Sequence, residues 1–220
     1  MSVTNDEVGT PEPTAGGVRW KRFGAMLGLT GVVTAALVAL TAQGVLAVNF
    51  SISGMPFKIT ADRLDGQGFE QYATIDNMAG GADNPNAGDS GGQLFLIVSA
   101  INKAELTKLC QSVDLGGVAI KITAGDAGTP VKATALVVDS DLITGNADFS
   151  NINVGQDAST FTKVIDPASG KPIAPDQLGI FGQQADRVVI TNLVQNNYAT
   201  TASVFTLPHL RMELSTKGGC

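Results

Sequence analysis

The sequence predicts an all-β domain, sandwich-like or barrel-like or else a β-solenoid, behind one N-terminal hydrophobic helix. Three observations predict it. Charged residues make up only 15% of the 220-residue chain, too few for the polar faces of many amphipathic helices. Glycine is frequent at 26 residues, while aromatics reach only 5%. Beyond residue 48, short alternating apolar and polar runs are divided by Gly, Asn, Asp and Pro, which is the pattern of half-buried strands and their turns. With 44% hydrophobic residues the chain has apolar surface for a substantial core, most simply one domain.

In chain order, residues 1–18 are small, polar and rich in Pro and Gly, and are expected to form a disordered cytoplasmic tail. Arg19, Trp20, Lys21 and Arg22 follow, and then a run from Phe23 to Val48 without a charged residue. At about 1.5 Å per residue that run exceeds the roughly 30 Å hydrocarbon core of a bilayer, so residues 23–48 are expected to engage the membrane. The basic flank puts the N-terminus in the cytoplasm and the rest outside, with Trp20 where an interfacial aromatic sits. Residues 19–48 are therefore a transmembrane anchor or a signal peptide. Val45-Leu46-Ala47 offers a cleavage site after Ala47, whereas the run is longer than the roughly 7–15 apolar residues of an ordinary signal peptide. A buried core helix is the competing reading, and the basic flank argues against it. Both leading readings make residues 49–220 an extracytoplasmic β-rich domain, membrane-anchored or secreted.

The expected strands are "VNFSISG", "FKIT", "LFLIVSA", "GVAIKITAG", "VKATALVVD", "ADFSNINVG", "RVVITNL" and "ASVFTL". The unbroken apolar run in "LFLIVSA" suits a strand buried on both faces. Gly116-Gly117, Gly125-Asp126, Thr129-Pro130, Gly145-Asn146 and Ser169-Gly170-Lys171-Pro172 supply turns, because Gly and Asn tolerate positive φ and Pro fixes φ. One short helix is expected near 103–113. In "NKAELTKLCQSV", Asn102 can cap with Glu105 three residues on, and Leu106, Leu109, Cys110 and Val113 follow helical spacing. Three segments echo one another: "FKITADRLDGQGFEQYATI", "ALVVDSDLITGNADFSNINV" and "RVVITNLVQNNYATTASVFTL" each read as a strand, a polar step and a second strand.

Cys110 and Cys220 are the two cysteines, an even count that in an exported domain pairs naturally as a disulfide. The formal net charge of −6 lies downstream of residue 22, since Asp6, Glu7 and Glu12 balance Arg19, Lys21 and Arg22. A nucleic-acid surface is not expected from that balance.

"NAGDSGGQLFL", residues 86–96, contains the Gly-Asp-Ser-Gly-Gly string that surrounds the nucleophile of trypsin-like proteases. A serine nucleophile requires a base and a group that orients the base. The one histidine, His209, lies far downstream of Ser90, the reverse of the protease order, and too few exported residues precede Ser90 for that fold's first barrel. Ser90, Asp139 or Asp141, and His209 satisfy a different hydrolase order, but no strand–turn–helix elbow holds the serine. Residues 79–92 read as one polar loop instead. Asp83, Asn84, Asn86 and Asp89 could offer oxygen ligands to calcium, though out of order for an EF-hand and ordinary as turn material. Asp139 and Asp141 lie two apart after a strand, without a marked second acid across a cleft. No metal site or cofactor motif is apparent, and no cofactor is expected.

"SISGMPFKITADRLDGQGFEQYA", "LTKLCQSV", "ITAGDAGTPVKATALVVD" and "FGQQADRVVITNL" together resemble a family of exported proteins of unknown function from Streptomyces and related actinobacteria, whose members often carry the label "cholesterol esterase". The resemblance covers nearly all of residues 19–220. It implies a genomic neighbourhood with a small multi-spanning membrane protein, hence an envelope partner, and it transfers no catalytic residue. The leading functional reading is a non-catalytic envelope protein that binds lipid, cell wall or a membrane-protein partner. The alternatives are a lipid-ester serine hydrolase using Ser90, His209 and Asp139, and a structural envelope subunit that forms a homo-oligomer by edge-strand pairing.

Overall fold

The computed structural model describes residues 52–175 and 178–220; the tail, Arg19–Arg22 and the hydrophobic run expected at 19–48 lie outside them. Nine strands follow one another: β1 (Phe57–Asn77), β2 (Gln93–Thr107), β3 (Leu109–Asp114), β4 (Ala119–Ala124), β5 (Val131–Ser150), β6 (Asn153–Asp157), β7 (Phe181–Thr201), β8 (Val204–Thr206) and β9 (Arg211–Ser215). Helical structure among the described residues is limited to three 3-10 turns, Gly81–Asp83, Gly88–Ser90 and Ala158–Thr160.

Every pairing between these strands is antiparallel. β1 pairs with β2 on one side and β7 on the other, and β5 joins β2 to β7, so the four long strands close into a ring. The shorter strands lengthen them: β3 continues β2 along β1, β4 lies beside β3, and β8 and β9 pair with β5 and β4 after β7. The sheet amounts to four long strands in up-and-down order. Its closure is heavily staggered. Lys58 leads through Ser112 and Lys121 to Glu213, yet across the seam Lys58 pairs with Asn196, seventeen positions earlier. A large stagger means strongly tilted strands, and tilt lets few strands surround a wide interior. This is a barrel-like sheet; the stacked parallel rungs of the solenoid alternative do not form.

Each long strand changes its buried face part-way along. On β1, Gly66 and Phe69 both turn inward around Gly68, at φ 67°. On β5, Ala133 and Leu136 flank Ala135 (φ 48°), and on β7, Ile190 and Leu193 flank Asn192 (φ 54°); all four flanking residues join the main core. A left-handed residue inside a strand slips the two-residue alternation by one and bends the strand, as a β-bulge does. The same device corrects the helix expected near 103–113, which is strand on both sides of Lys108, in β2 and β3. Lys108 (φ 52°) separates the two, so Leu106 and Leu109 both face the core, and a parity slip imitates the three-residue spacing of a helix. Of the three echoing segments, the first lies wholly within the kinked strand β1, whereas the second runs from β5 into β6 and the third from β7 through β8.

Residues 158–175 form a strap on the outside of the sheet, where Val164 and Ile173 pack with Ala100 and Ala135 in a second buried cluster. At the other end, Cys110 on β3 bonds Cys220 with Cα atoms 5.9 Å apart, and Ser112 Oγ accepts a 2.9 Å hydrogen bond from the Cys220 amide. The bridge spans 110 positions of sequence, for which the chain-entropy model gives about 4–5 kcal/mol.

Candidate functional site

The inward faces of the four long strands do not meet. They leave a cavity of about 290 Å³ lined by residues of β1, β2, β5 and β7, among them Leu64, Ile101, Leu106, Leu136 and Ile190. It opens along the second half of β5, where Ala147 and Phe149 are exposed, and reaches Thr200 and Phe205, which also line an adjoining groove with Phe57 and Tyr198. None of the 20 residues lining the cavity, and none of the 10 lining the groove, is charged.

Two sets of polar groups lie in or against this apolar lining. Gln183 donates to Gln71 Oε1 at 2.7 Å and Gln71 donates to Ser99 Oγ at 2.9 Å, so these groups satisfy one another. The second set lies on β7. Gln195 lines the cavity and Thr200 lines both cavity and groove, while Asn197, on the same strand face and fully buried, lies beside them without forming part of either lining. Both amide atoms of Asn197 and the hydroxyl of Thr200 are buried without a hydrogen-bond partner among the described residues. Ile59 opposes Gln195 and Phe57 opposes Asn197, which places this set where cavity passes into groove. Sequence reasoning missed these residues, although Leu193, Gln195 and Asn197 at alternate positions put the amides on the core side of a strand.

Two carboxyls are strongly perturbed, both outside the cavity. Glu70 lies under the strap, fully buried, and its Oε1 accepts from the backbone amides of Lys163 at 2.5 Å and Val164 at 2.9 Å. Burial outweighs those bonds and pushes its pKa up to about 7, and Oε2 has no partner among the described residues. Asp139 is also pushed up to about 7, chiefly by burial and further by the nearby Asp76, whose own carboxyl is raised by burial. Tyr72, across Val98 from Asp139, is raised to about 12 by burial and by the charges of Asp139, Glu70 and Asp76.

The residues singled out in the sequence are dispersed. Ser90 lies in a 3-10 turn before β2 and donates to Ala87 O at 2.8 Å. His209 is exposed after β8, and its Nδ1 stands 2.8 Å from Asp126 Oδ1. Pro208 O accepts from Gly125, whose carbonyl accepts from Lys108 beyond the far end of β2. Ser90 and His209 therefore stand at opposite ends of a 15-residue strand, about 45 Å apart along it. Asp139 sits mid-sheet, and Asp141, separated from it by register shifts, accepts from Asn196 at 2.8 Å and Tyr198 at 3.3 Å. In the 79–92 loop, Asn84 donates to Ala79 O at 2.7 Å and its Oδ1 accepts from the Asn86 amide, while Asp83 and Asp89 are exposed. No group of three His, Cys, Asp or Glu side chains placed to hold a metal ion occurs among the described residues.

Comparison with the curated proteins and with the solved structures returned no match. A family model described as a family of unknown function, DUF6230, matches residues 53–220, which is the whole barrel with its strap and its disulfide-tied terminus, and the chain belongs to that family.

Proposed function

We propose that this chain is a non-catalytic protein of the cell envelope that holds the apolar chain of a lipid inside its barrel. The observation that carries the reading is the uncharged cavity of about 290 Å³, open on one side and lined mostly by aliphatic and aromatic residues. Empty apolar space is unfavourable, since the walls lose the contacts that packed atoms would supply.

Three further features support the location. The uncharged run at 23–48 behind Arg19–Arg22 has the length of a membrane segment, and the Cys110–Cys220 bridge suits an oxidising compartment. On the sheet's terminal lobe, Ile120 opposes Leu214 and Ile122 opposes Met212, so one face of β4 and β9 carries adjacent apolar side chains, with Met212 and Leu214 largely exposed. Such a surface suits contact with a membrane or a membrane-protein partner. The separation of Ser90 from His209 weighs against the hydrolase alternative, because a nucleophile must lie within hydrogen-bond reach of its base.

The test is to express the full chain in a bacterial envelope, extract it in a polymer disc, and identify co-purifying lipids by mass spectrometry. One apolar ligand per chain, depleted when Leu136→Trp fills the cavity, is expected. A folded protein whose lipid content matches the surrounding membrane in both forms would remove the reading.

A further inference from the structure

The two polar sets in and beside the cavity lining differ in one respect. Gln71, Ser99 and Gln183 are bonded to one another, whereas Asn197 and the Thr200 hydroxyl face a buried environment without partners among the described residues. Buried polar groups are almost always satisfied, so such a cluster beside a cavity calls for a ligand that brings its own hydrogen-bonding group. Cross-strand partners run from Gln71 through Ser99 and Val138 to Thr200, three strand spacings or about 14 Å along the wall.

We infer that the cavity takes a neutral single-chain amphiphile, of the class of a long-chain alcohol or a monoacylglycerol, with its hydroxyl bonded at Asn197 and Thr200. This rests on the lipid-holding reading and narrows it to a ligand class. Charge decides between classes. A carboxylate or phosphate brought to this position would be desolvated without a cation among the residues that line cavity and groove. A hydroxyl donates to an amide oxygen and accepts from an amide or a threonine hydroxyl, which matches what Asn197 and Thr200 leave open. Size decides the chain. The cavity has about twice the ~150 Å³ of a void that takes a benzene ring, hence room for roughly a dozen carbon atoms.

The experiment holds the full chain in phospholipid nanodiscs and measures retention of radiolabelled 1-dodecanol, dodecane and fully ionised laurate in excess of empty discs. Dodecanol is expected to bind about tenfold more tightly than dodecane, the worth of one buried hydrogen bond, and laurate more weakly than dodecanol. Thr200→Val, nearly isosteric, should lower dodecanol binding towards that of dodecane and leave dodecane unchanged. Asn197→Leu should do the same; should it fail to fold, Thr200→Val carries the test alone. Equal binding of dodecane and dodecanol by the unaltered chain, or laurate binding as tight as dodecanol, overturns the ligand class and leaves the lipid-holding reading standing. Retention of none of the three overturns both.

Discussion

Residues 79–92 and residues 158–175 are both long connections outside the strands, and they are held in different ways. The first is held by its own hydrogen bonds and by residues 52–53, where Ile52 O accepts from the Ala79 amide and Ser53 O from the Asn84 and Asn86 side chains. Asn84 donates to Ala79 O, Ser90 to Ala87 O and the Gly81 amide to Met78 O, and only Ala87 and Gly92 among its residues are buried. The strap at 158–175 is held by the sheet beneath it. Phe161, Val164 and Ile173 are buried, Glu70 accepts from two strap amides, and Gln184 accepts from a third, that of Thr162. Two glycines make room for it: a Cβ on Gly68 would strike Lys163 O, and one on Gly182 would strike the Phe161 ring. A loop held mainly by its own hydrogen bonds and by residues outside the strands can change with little effect on the barrel, whereas one that borrows partners from the strands themselves is part of the core.

The largest expected effect follows from that difference. Phe161→Ala removes a side chain only 1% exposed, packed on Gly182 and with its ring centroid 6.4 Å from that of Tyr72. Loss of about 3–5 kcal/mol in urea unfolding is expected, the cost of emptying a buried aromatic site. A loss below 1 kcal/mol would show the strap to be as dispensable as the 79–92 loop.

Next is a pH dependence with an unusual sign. Glu70 has its pKa raised by burial from an ordinary 4.5 to about 7, so between those values the folded chain keeps a proton that the unfolded chain has released. Stability from this group is therefore full below about pH 4.5 and declines as pH rises towards 7, by about 3 kcal/mol at 1.36 kcal/mol per pH unit. Asp139, pushed up to about 7 by burial and by Asp76, adds to the same decline. The lowered carboxyls act in the other direction and elsewhere on the scale. Asp65, held down chiefly by a hydrogen bond from Arg187, loses its contribution only below the ordinary carboxylate range. Melting should thus occur at higher temperature at pH 5 than at pH 8. Glu70→Gln should flatten part of that difference, because the amide oxygen still accepts from Lys163 and Val164 and no longer titrates. An unchanged pH profile in that variant would sever the strap from the titration.

How much of this was legible in the sequence depends on the distance over which a cause acts. Strand-forming segments could be read because alternation and turn residues are local, and the cysteine pair because there was only one way to pair it. The ring could not be read, since closure joins Phe57 to Asn197 and the stagger has no local signature. The false helix has a local cause. Lys108, Ala135 and Asn192 adopt positive φ without being glycine, so the places where strands change face carry little turn chemistry. The burial of Glu70 has no local sign in the sequence, because the strap that buries it comes 93 residues later. Yet the phrases that mark the family resemblance, "DGQGFEQY" and "FGQQAD", contain Gly68, Glu70, Gly182 and Gln184, the socket of the strap.

The smallest expected effect concerns the stretch that looked most like chemistry. Ser90→Ala removes one hydroxyl from an exposed turn, and His209→Ala removes an exposed ring whose partner, Asp126, is exposed as well. Each should change stability by no more than about 0.5 kcal/mol, as surface substitutions do. Because the two sites stand at opposite ends of β2, the double variant should equal the sum of the singles to within about 0.3–0.5 kcal/mol, and ester hydrolysis should respond to neither. Catalytic partners behave otherwise, since loss of either member of a triad costs nearly as much as loss of both. Non-additive loss of hydrolysis on short-chain and cholesteryl esters would therefore bring Ser90 and His209 together in a way this barrel does not, and would replace the lipid-holding reading with a hydrolase.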